Sequence, residues 1–396
     1  MRAAIISGAR TPIGRRGGAL AGLEARELGA AALAAAVTRA ALEPHEVDDV
    51  VLGSTLAPDG NLARVAWLQA GLPQTVPARS IDRQCGSGID AVWLAAQAVT
   101  GGSATIVVAG GAESMTREPF QLERSLRASP MTPPQFLRRR LSSDAVGDPG
   151  MGITAENLAE RFGIGRGAQD AFAATSQARY ETARVNGWVD GVISIETVRG
   201  RVDADEHPRP LTTEQALTEL RPVFAADGTV TAGNASGIND GAAAVVVVSE
   251  EEAQRRHARP AAWVVDGAVS GVDPNVMGTG PVPAIRRLLA RTGWPLDEVD
   301  VIEINEAFAV QVIACTQELG IDVGRVNAWG GAIAHGHPIA ATGTALVMKA
   351  VDQLARKGGG RAVVSACIGG GQGIALALER DVAAAGPAGW IQEENS

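Results

Sequence analysis

The sequence has 396 residues, a net charge of −9 and an apolar share of 46%. That length allows two or three domains around a large core, and the acidic balance argues against nonspecific binding to nucleic acid or an anionic membrane. Cys85, Cys315 and Cys367 are too few for a disulfide framework, no apolar run reaches the roughly 20 residues of a membrane span, and no charged-then-apolar leader opens the chain, so it reads as a soluble cytoplasmic protein of a reducing compartment.

In chain order, residues 3–7 read as a short apolar strand and residues 22–42 as a long Ala-rich helix. Residues 46–53 read as a helix end feeding a buried strand. Another strand-like run precedes Cys85, a helical pattern covers 88–99, and 104–111 is a buried strand ending in glycines. The last third repeats this order. A helix ends near Arg291, residues 298–304 echo the 46–52 stretch, a Gly-rich segment at 330–343 enters a helix over 344–356, and 361–367 is a buried strand ending in glycines. The pattern predicts an internal duplication, two α/β halves each built as a sheet covered by helices.

Between the halves, residues 115–237 are rich in Arg, Pro, Asp and Thr and poor in long apolar runs. Pro133-Pro134 and His207-Pro208-Arg209-Pro210 read as loop punctuation. One clear helix is expected at 153–161, with Thr154 placed to cap it. Such a polar insertion suits a ligand-covering domain. Within it, Arg138, Arg139 and Arg140 form a basic run that is either an anion site or a solvated helix face. The expected division is 1–114 with 238–260, then 115–237, then 261–396.

Four segments carry residues suited to chemistry. In Arg83-Gln84-Cys85-Gly86-Ser87-Gly88 a Cys sits between a strand and a helix. The positive end of the helix dipole there would lower its pKa; the competing reading is a buried structural Cys. Gly330-Gly331-Ala332-Ile333-Ala334-His335-Gly336-His337-Pro338 opens the second helix, as the Cys85 loop opens the first. His337, between Gly336 and Pro338, is fixed in direction, whereas His335 reads as a packing or surface residue. No carboxylate or Cys stands at ligand spacing, so a metal is not expected. Cys367-Ile368-Gly369-Gly370-Gly371 ends a strand with exposed N–H groups, the ingredient of an oxyanion hole, and reads as a Cys-for-Cys match between the halves. Both junctions are expected to face one crevice, where open α/β sheets place ligands. Asn305-Glu306-Ala307-Phe308 follows a buried strand, where Asn305 is either a site group or a helix cap.

Together with Gly110-Gly111-Ala112-Glu113-Ser114-Met115 and Asn234-Ala235-Ser236-Gly237-Ile238-Asn239-Asp240-Gly241, these motifs resemble the thiolase family, more narrowly acetyl-CoA acetyltransferases and 3-ketoacyl-CoA thiolases. They span nearly the whole chain in the family's order. The resemblance implies an α/β class fold of five layers, α/β/α/β/α, with a loop domain over the coenzyme A site and a homodimer or homotetramer. It implies reversible Claisen condensation and thiolytic cleavage of 3-ketoacyl-CoA through an acyl-cysteine intermediate, with acyl-CoA and coenzyme A as partners. No metal, nucleotide or flavin cofactor is implied. By the same carry-over Cys85 is the nucleophile, His337 takes its proton, Asn305 holds a water in the first oxyanion hole, and Cys367 is the acid/base. The N–H groups of Cys85 and Gly369 form the second oxyanion hole. Met151, Arg209, Phe224, Ala232, Ser236, Ala307 and Phe308 line the coenzyme A path.

The chain departs from the family pattern at Asp82, where Asn is frequent, at Ala328-Trp329, at Ala340-Ala341-Thr342-Gly343 and at Gly150. A carboxylate at Asp82 pointing inward would raise the Cys85 pKa. Relatives of the same fold that decarboxylate ketoacyl groups or make hydroxymethylglutaryl-CoA carry His in place of the second Cys, or lack the Asn-Glu-Ala-Phe motif. A degenerate acyl-CoA binder would have lost a catalytic residue, and a redox switch would join Cys85 to Cys367.

Overall fold

The computed structural model describes residues 1–124, 133–189 and 191–382. The first half contains β1 (Ala3–Arg10), the short β2 (Gly14–Arg15), α1 (Ala25–Arg39), β3 (Asp49–Gly53), α2 (Leu62–Gln69), β4 (Ala78–Ile81), α3 (Ser87–Thr100) and β5 (Ile106–Ser114). The insertion supplies α4 (Met151–Phe162), α5 (Arg166–Val185), the hairpin β6 (Ile195–Thr197) and β7 (Gly200–Val202), and α6 (Glu214–Thr218). Then come β8 (Asn239–Ser249) and α7 (Glu250–Arg255). The second half runs β9 (Ala262–Gly271), α8 (Pro281–Thr292), β10 (Val301–Ile304), α9 (Ala309–Leu319), α10 (Ala332–His335), α11 (Ile339–Lys357), β11 (Gly360–Ile368) and β12 (Gln372–Arg380).

The duplication is explicit in the strand order, β10-β11-β12-β9-β1-β8-β5-β3-β4. From the outside inward, β3-β5-β8-β1 and β10-β11-β12-β9 have the same directions and the same places in their halves. A parallel bridge from Val326 to Ile302 stands where β4 pairs β3 in the first half. An Asp marks the same corner twice. Asp48 Oδ2 accepts the Thr105 and Ile106 N–H groups at 2.7 and 2.9 Å, and Asp300 Oδ2 accepts the Arg361 N–H at 2.9 Å. The two sheets are continuous along one seam, because β1 pairs β9 over Ala3–Val264, Ala4–Trp263 and Ile5–Ala262.

Side-chain alternation sorts the core into layers. On β8, Val245 and Val247 face an inner cluster with α3 and α11, whereas Ala244, Val246 and Val248 face an outer cluster with α1 and α2. On β11, Val364 and Ala366 point inward and Val363 points to α8 and α9. The α3/α11 pair is therefore sandwiched between the two sheets, giving five layers. The two helices touch through glycines. A Cβ on Gly88 would lie 2.6 Å from Thr344 N, and a Cβ on Gly343 would lie 2.5 Å from Ile89 N. This reciprocal contact lies in the first turn of α3 and the second turn of α11 and brings their N-terminal loops together.

Three local expectations change. Helix α11 begins at Ile339, earlier than 344, because Pro338 with φ −75° leads directly into it. Thr154 is not the cap of α4: Gly150 holds that place, and the Thr154 hydroxyl donates to Met151 O at 2.6 Å from inside the helix. The insertion has a second, longer helix, α5. Its buried face mixes Phe172, Ala173 and Tyr180 with Gln169, Asp170, Ser176 and Gln177, so no apolar period marks it in sequence. Among the described residues no helix is long and apolar enough to cross a membrane.

Candidate active site

Cys85 lies in a turn of 3₁₀ helix that leads into α3, and the loop around it is tightly held. Gln84 takes φ +46°, a left-handed conformation unusual for a residue with a side chain. Asp82 Oδ1 accepts the Gln84 N–H at 2.8 Å. The Ser87 hydroxyl accepts the Arg83 N–H at 2.8 Å and donates to Gln84 O at 2.7 Å. Arg83 pairs with Asp90 at 2.8 Å in the first turn of α3. Gly86 lets the loop lie close against Ile368, since a Cβ there would meet Ile368 Cδ1 at 2.6 Å and push that side chain aside. Thus the Cys85 loop is seated on the end of β11, beside Cys367.

The backbone N–H groups of Gly369 and of Cys85 itself lie near the Cys85 sulfur and favour its charged form. Burial outweighs them, and Glu113 and Asp82 add to it, so the thiol is pushed up to about 11. The dipole-lowered Cys expected from sequence meets opposing influences: desolvation of the half-buried residue and two carboxylates near its sulfur raise the thiol. Asp82 does not point inward; it is exposed and bound by Arg139 at 3.1 Å, yet its charge still acts on the sulfur.

His337 is buried at the head of α11. Its Nδ1 is 2.7 Å from Thr342 Oγ1 and its Nε2 is 3.3 Å from Asn305 Nδ2. With Asn305 Nδ2 as the donor, Nε2 accepts and Nδ1 carries the proton. Burial holds the ring down to about 4, hence neutral at physiological pH. The His337 N–H donates to Asn239 Oδ1 at 2.8 Å, while Asn239 Nδ2 donates to Gly14 O at 2.9 Å. Asn305 is no helix cap: it directly follows β10, its N–H donates to Ser365 O at 2.9 Å, and its Oδ1 is buried with no hydrogen-bond partner. An orphaned acceptor beside a neutral imidazole is a natural seat for a water or a polar substrate atom.

Cys367, at the end of β11, is buried, and both burial and the neighbouring Cys85 push its thiol up. By strand order its counterpart lies on β5 rather than in the Cys85 loop, so the Cys-for-Cys match between halves does not hold. Cys367 packs with Met151, Met277, Ala307 and Phe308. Phe224 joins them, with its ring 6.2 Å from that of Phe308, and the Ser236 N–H donates to Ala307 O at 3.0 Å. Gly152 makes room for Phe224, since a Cβ there would lie 2.0 Å from the ring. Arg209 and Ala232 stand apart and exposed; the Arg209 N–H donates to Gln177 on α5 at 2.8 Å. Cys315 lies inside α9, donates to Gly278 O at 3.1 Å and takes no place near Cys85. His335 is buried with its ring 5.8 Å from Tyr180, a packing residue.

Sequence reasoning gave no role to Thr342, Asn239, Glu113 or Leu141. Glu113 is buried at the end of β5 and accepts the N–H groups of Leu56 (2.9 Å), Thr55 (3.2 Å) and Ala340 (3.4 Å), which ties the first half to the start of α11. Glu113 and Asn239 lay inside recognised motifs; nothing in the local sequence marks Leu141. The basic run at 138–140 lies outside any helix or strand and is matched by acids: Arg138 by Asp148, Arg139 by Asp82, Arg140 by Asp144. It is neither a helix face nor an unmatched cationic site. Among the described residues no group of three His, Cys, Asp or Glu side chains could hold a metal.

The thiolase N-terminal domain model matches residues 3–251 and the thiolase C-terminal domain model matches residues 258–380. The chain belongs to the thiolase family. It is 44% identical over 387 residues to an acetyl-CoA acetyltransferase of Allochromatium vinosum, covering 95% of this chain and 98% of that one. It is also 44% identical over 396 residues to a beta-ketoadipyl-CoA thiolase of Acinetobacter baylyi, again covering 95% and 98%. The Bacillus anthracis acetyl-CoA acetyltransferase superposes with a TM-score of 0.90 at 40% identity, covering 96% and 98%. Human mitochondrial 3-ketoacyl-CoA thiolase in complex with CoA superposes with a TM-score of 0.90 at 39% identity, with the same coverage. The chain thus has the thiolase fold and is an acyltransferase of thiolase type.

Proposed function

We propose that the enzyme condenses acyl-CoA with acetyl-CoA and cleaves 3-ketoacyl-CoA through an acyl group carried on Cys85. The Cys85 sulfur attacks the thioester carbonyl, its proton goes to His337 Nε2, and the coenzyme A sulfur leaves with the proton of Cys367, which is left as the thiolate. The Cys367 thiolate then takes a proton from the α-carbon of the second acyl-CoA. The resulting carbanion attacks the acyl carbon, and the Cys85 sulfur is expelled and takes back its proton from His337. Asn305, with a water at its Oδ1, and His337 stabilise the enolate oxygen. The N–H groups of Cys85 and Gly369 stabilise the oxygen of the tetrahedral acyl intermediate. Thiolysis is the same path reversed.

The observation that carries this reading is the convergence of the Gly369 and Cys85 N–H groups on the Cys85 sulfur, beside Cys367. The cluster of Met151, Phe224, Ala307, Phe308 and Ser236 supports a pantetheine path there, with Arg209 and Ala232 further out along it. The insertion, residues 115–237, covers that path, between halves at 1–114 with 238–260 and at 261–396; the tail at 383–396 lies outside the described residues. A homodimer or homotetramer in the cytoplasm completes the proposal. Strand β4 ends the sheet, which suits pairing with a second copy. Intact-protein mass after mixing with acetyl-CoA tests the mechanism. One acetyl group on the Cys85 peptide, removed by coenzyme A, is expected; an adduct on any other residue sinks the assignment.

A further inference from the structure

The segment 138–148 of the insertion crosses the active site, and its position is over-determined. Asp148 pairs with Arg138 at 2.7 Å, and its Oδ1 accepts the N–H groups of Leu141 and Ser142, each at 3.2 Å. Asn275 Nδ2 donates to Val146 O at 2.8 Å. These bonds fix the internal shape of the segment and anchor it on the second half. On the other side Arg139 reaches the first half, donating to Thr55 O and to Asp82 Oδ2. Asp82 belongs to the Cys85 loop itself, since its Oδ1 accepts the Gln84 N–H at 2.8 Å.

Between these anchors Leu141 lies over the glycine corner that ends β11. A Cβ on Gly369 would sit 2.9 Å from Leu141 Cδ1 and 3.5 Å from Met151 Sδ, and a Cβ on Gly370 would sit 2.3 Å from Leu141 O. The Gly369 N–H is the one directed at the Cys85 sulfur. An acyl chain that leaves this sulfur along Gly369 therefore runs into Leu141.

We propose that the Asp82–Arg139 ion pair is a positioning device that sets the length of acyl group the enzyme accepts, by holding Leu141 across the space beside Cys85. The inference rests on Cys85 as the acylated residue. It gives the Asp82 charge a use that an Asn could not supply: a neutral amide keeps the hydrogen bonds to the loop but not the charge that holds Arg139. The pair is partly exposed, with side chains 29% and 43% accessible. Screening keeps such a pair weak, so it tunes the wall rather than maintaining the fold.

The test is thiolysis of 3-ketoacyl-CoA substrates with four-, six- and eight-carbon acyl groups, read as the kcat/KM ratio of long to short. Leu141→Ala is expected to raise the eight-to-four-carbon ratio by about tenfold or more, the scale of discrimination that one or two methylenes give in a tight pocket. Asp82→Asn and Arg139→Gln are each expected to raise it by about three- to tenfold, and the double variant by no more than either alone, because the two act as one unit. Ratios within twofold of the parent enzyme in both single variants, effects that multiply in the double variant, or an unchanged ratio in Leu141→Ala would each overturn the inference. Mapping the acyl group in each variant separates the two levels. An adduct on Cys85 with unmoved ratios defeats the clamp alone, and an adduct elsewhere defeats the assignment of Cys85 and the clamp with it.

Discussion

The resting state of the Cys85–His337 pair can be read from burial. The thiol is pushed up to about 11 and the imidazole down to about 4. Moving the proton from one to the other spans about 7 pKa units, or about 9–10 kcal/mol before their mutual attraction. A standing thiolate–imidazolium pair is therefore disfavoured, and proton transfer accompanies attack on the thioester. At pH 8 the thiolate fraction of a group at about 11 is about one in a thousand, against about one in four for a free thiol at 8.5. The more basic thiolate is intrinsically better by about tenfold for a Brønsted exponent near 0.45. Alkylation of Cys85 by iodoacetamide at pH 8 should thus be about 20-fold slower than that of free cysteine. The assay is the second-order rate of modification of the Cys85 peptide from pH 6 to 10, followed by mass. Its logarithm should rise with unit slope up to pH 10. A plateau between pH 6 and 8, the signature of a preformed ion pair, would refute the reasoning.

Asn305→Ala removes the donor to His337 Nε2 and the orphaned Oδ1 beside it; kcat should fall by about 10²- to 10³-fold, the loss expected for one oxyanion donor, and steady-state thiolysis with less than a threefold change would dismiss the role. Cys367→Ala should still take one acetyl group on Cys85 yet fail to form acetoacetyl-CoA, so condensation at parental rate would contradict the split of nucleophile from base. Gly343→Ala places a Cβ 2.5 Å from Ile89 N; overpacking of that kind should cost about 3 kcal/mol, measured by urea denaturation, and a loss under about 0.5 kcal/mol would deny the close helix crossing.

Sequence by itself determined a good deal here. The two runs beginning at Glu46 and Glu298 show the duplication because a buried strand needs a continuous apolar stretch and both halves keep it. The Gly-flanked Cys85, His337 and Cys367 are legible because a strand-to-helix turn and a bare strand end demand small neighbours. Tertiary structure decided what spacing along the chain cannot encode. The tautomer of His337 depends on Thr342 and Asn305, which approach it from different elements. The Cys85 thiol is raised because burial there outweighs the helix terminus, and burial follows from how β11 and the insertion close over the loop. The second insertion helix, α5, carries no apolar period because its inner face holds Gln169, Asp170 and Gln177, which bond to Thr229, Asn234 and Ile333, far away in sequence. The three arginines at 138–140 look alike in sequence, and only the fold distributes them to Asp148, Asp82 and Asp144. Local composition reports which residues must be small or apolar; which charge meets which partner is settled by contacts between segments distant in sequence, such as Arg139 with Asp82.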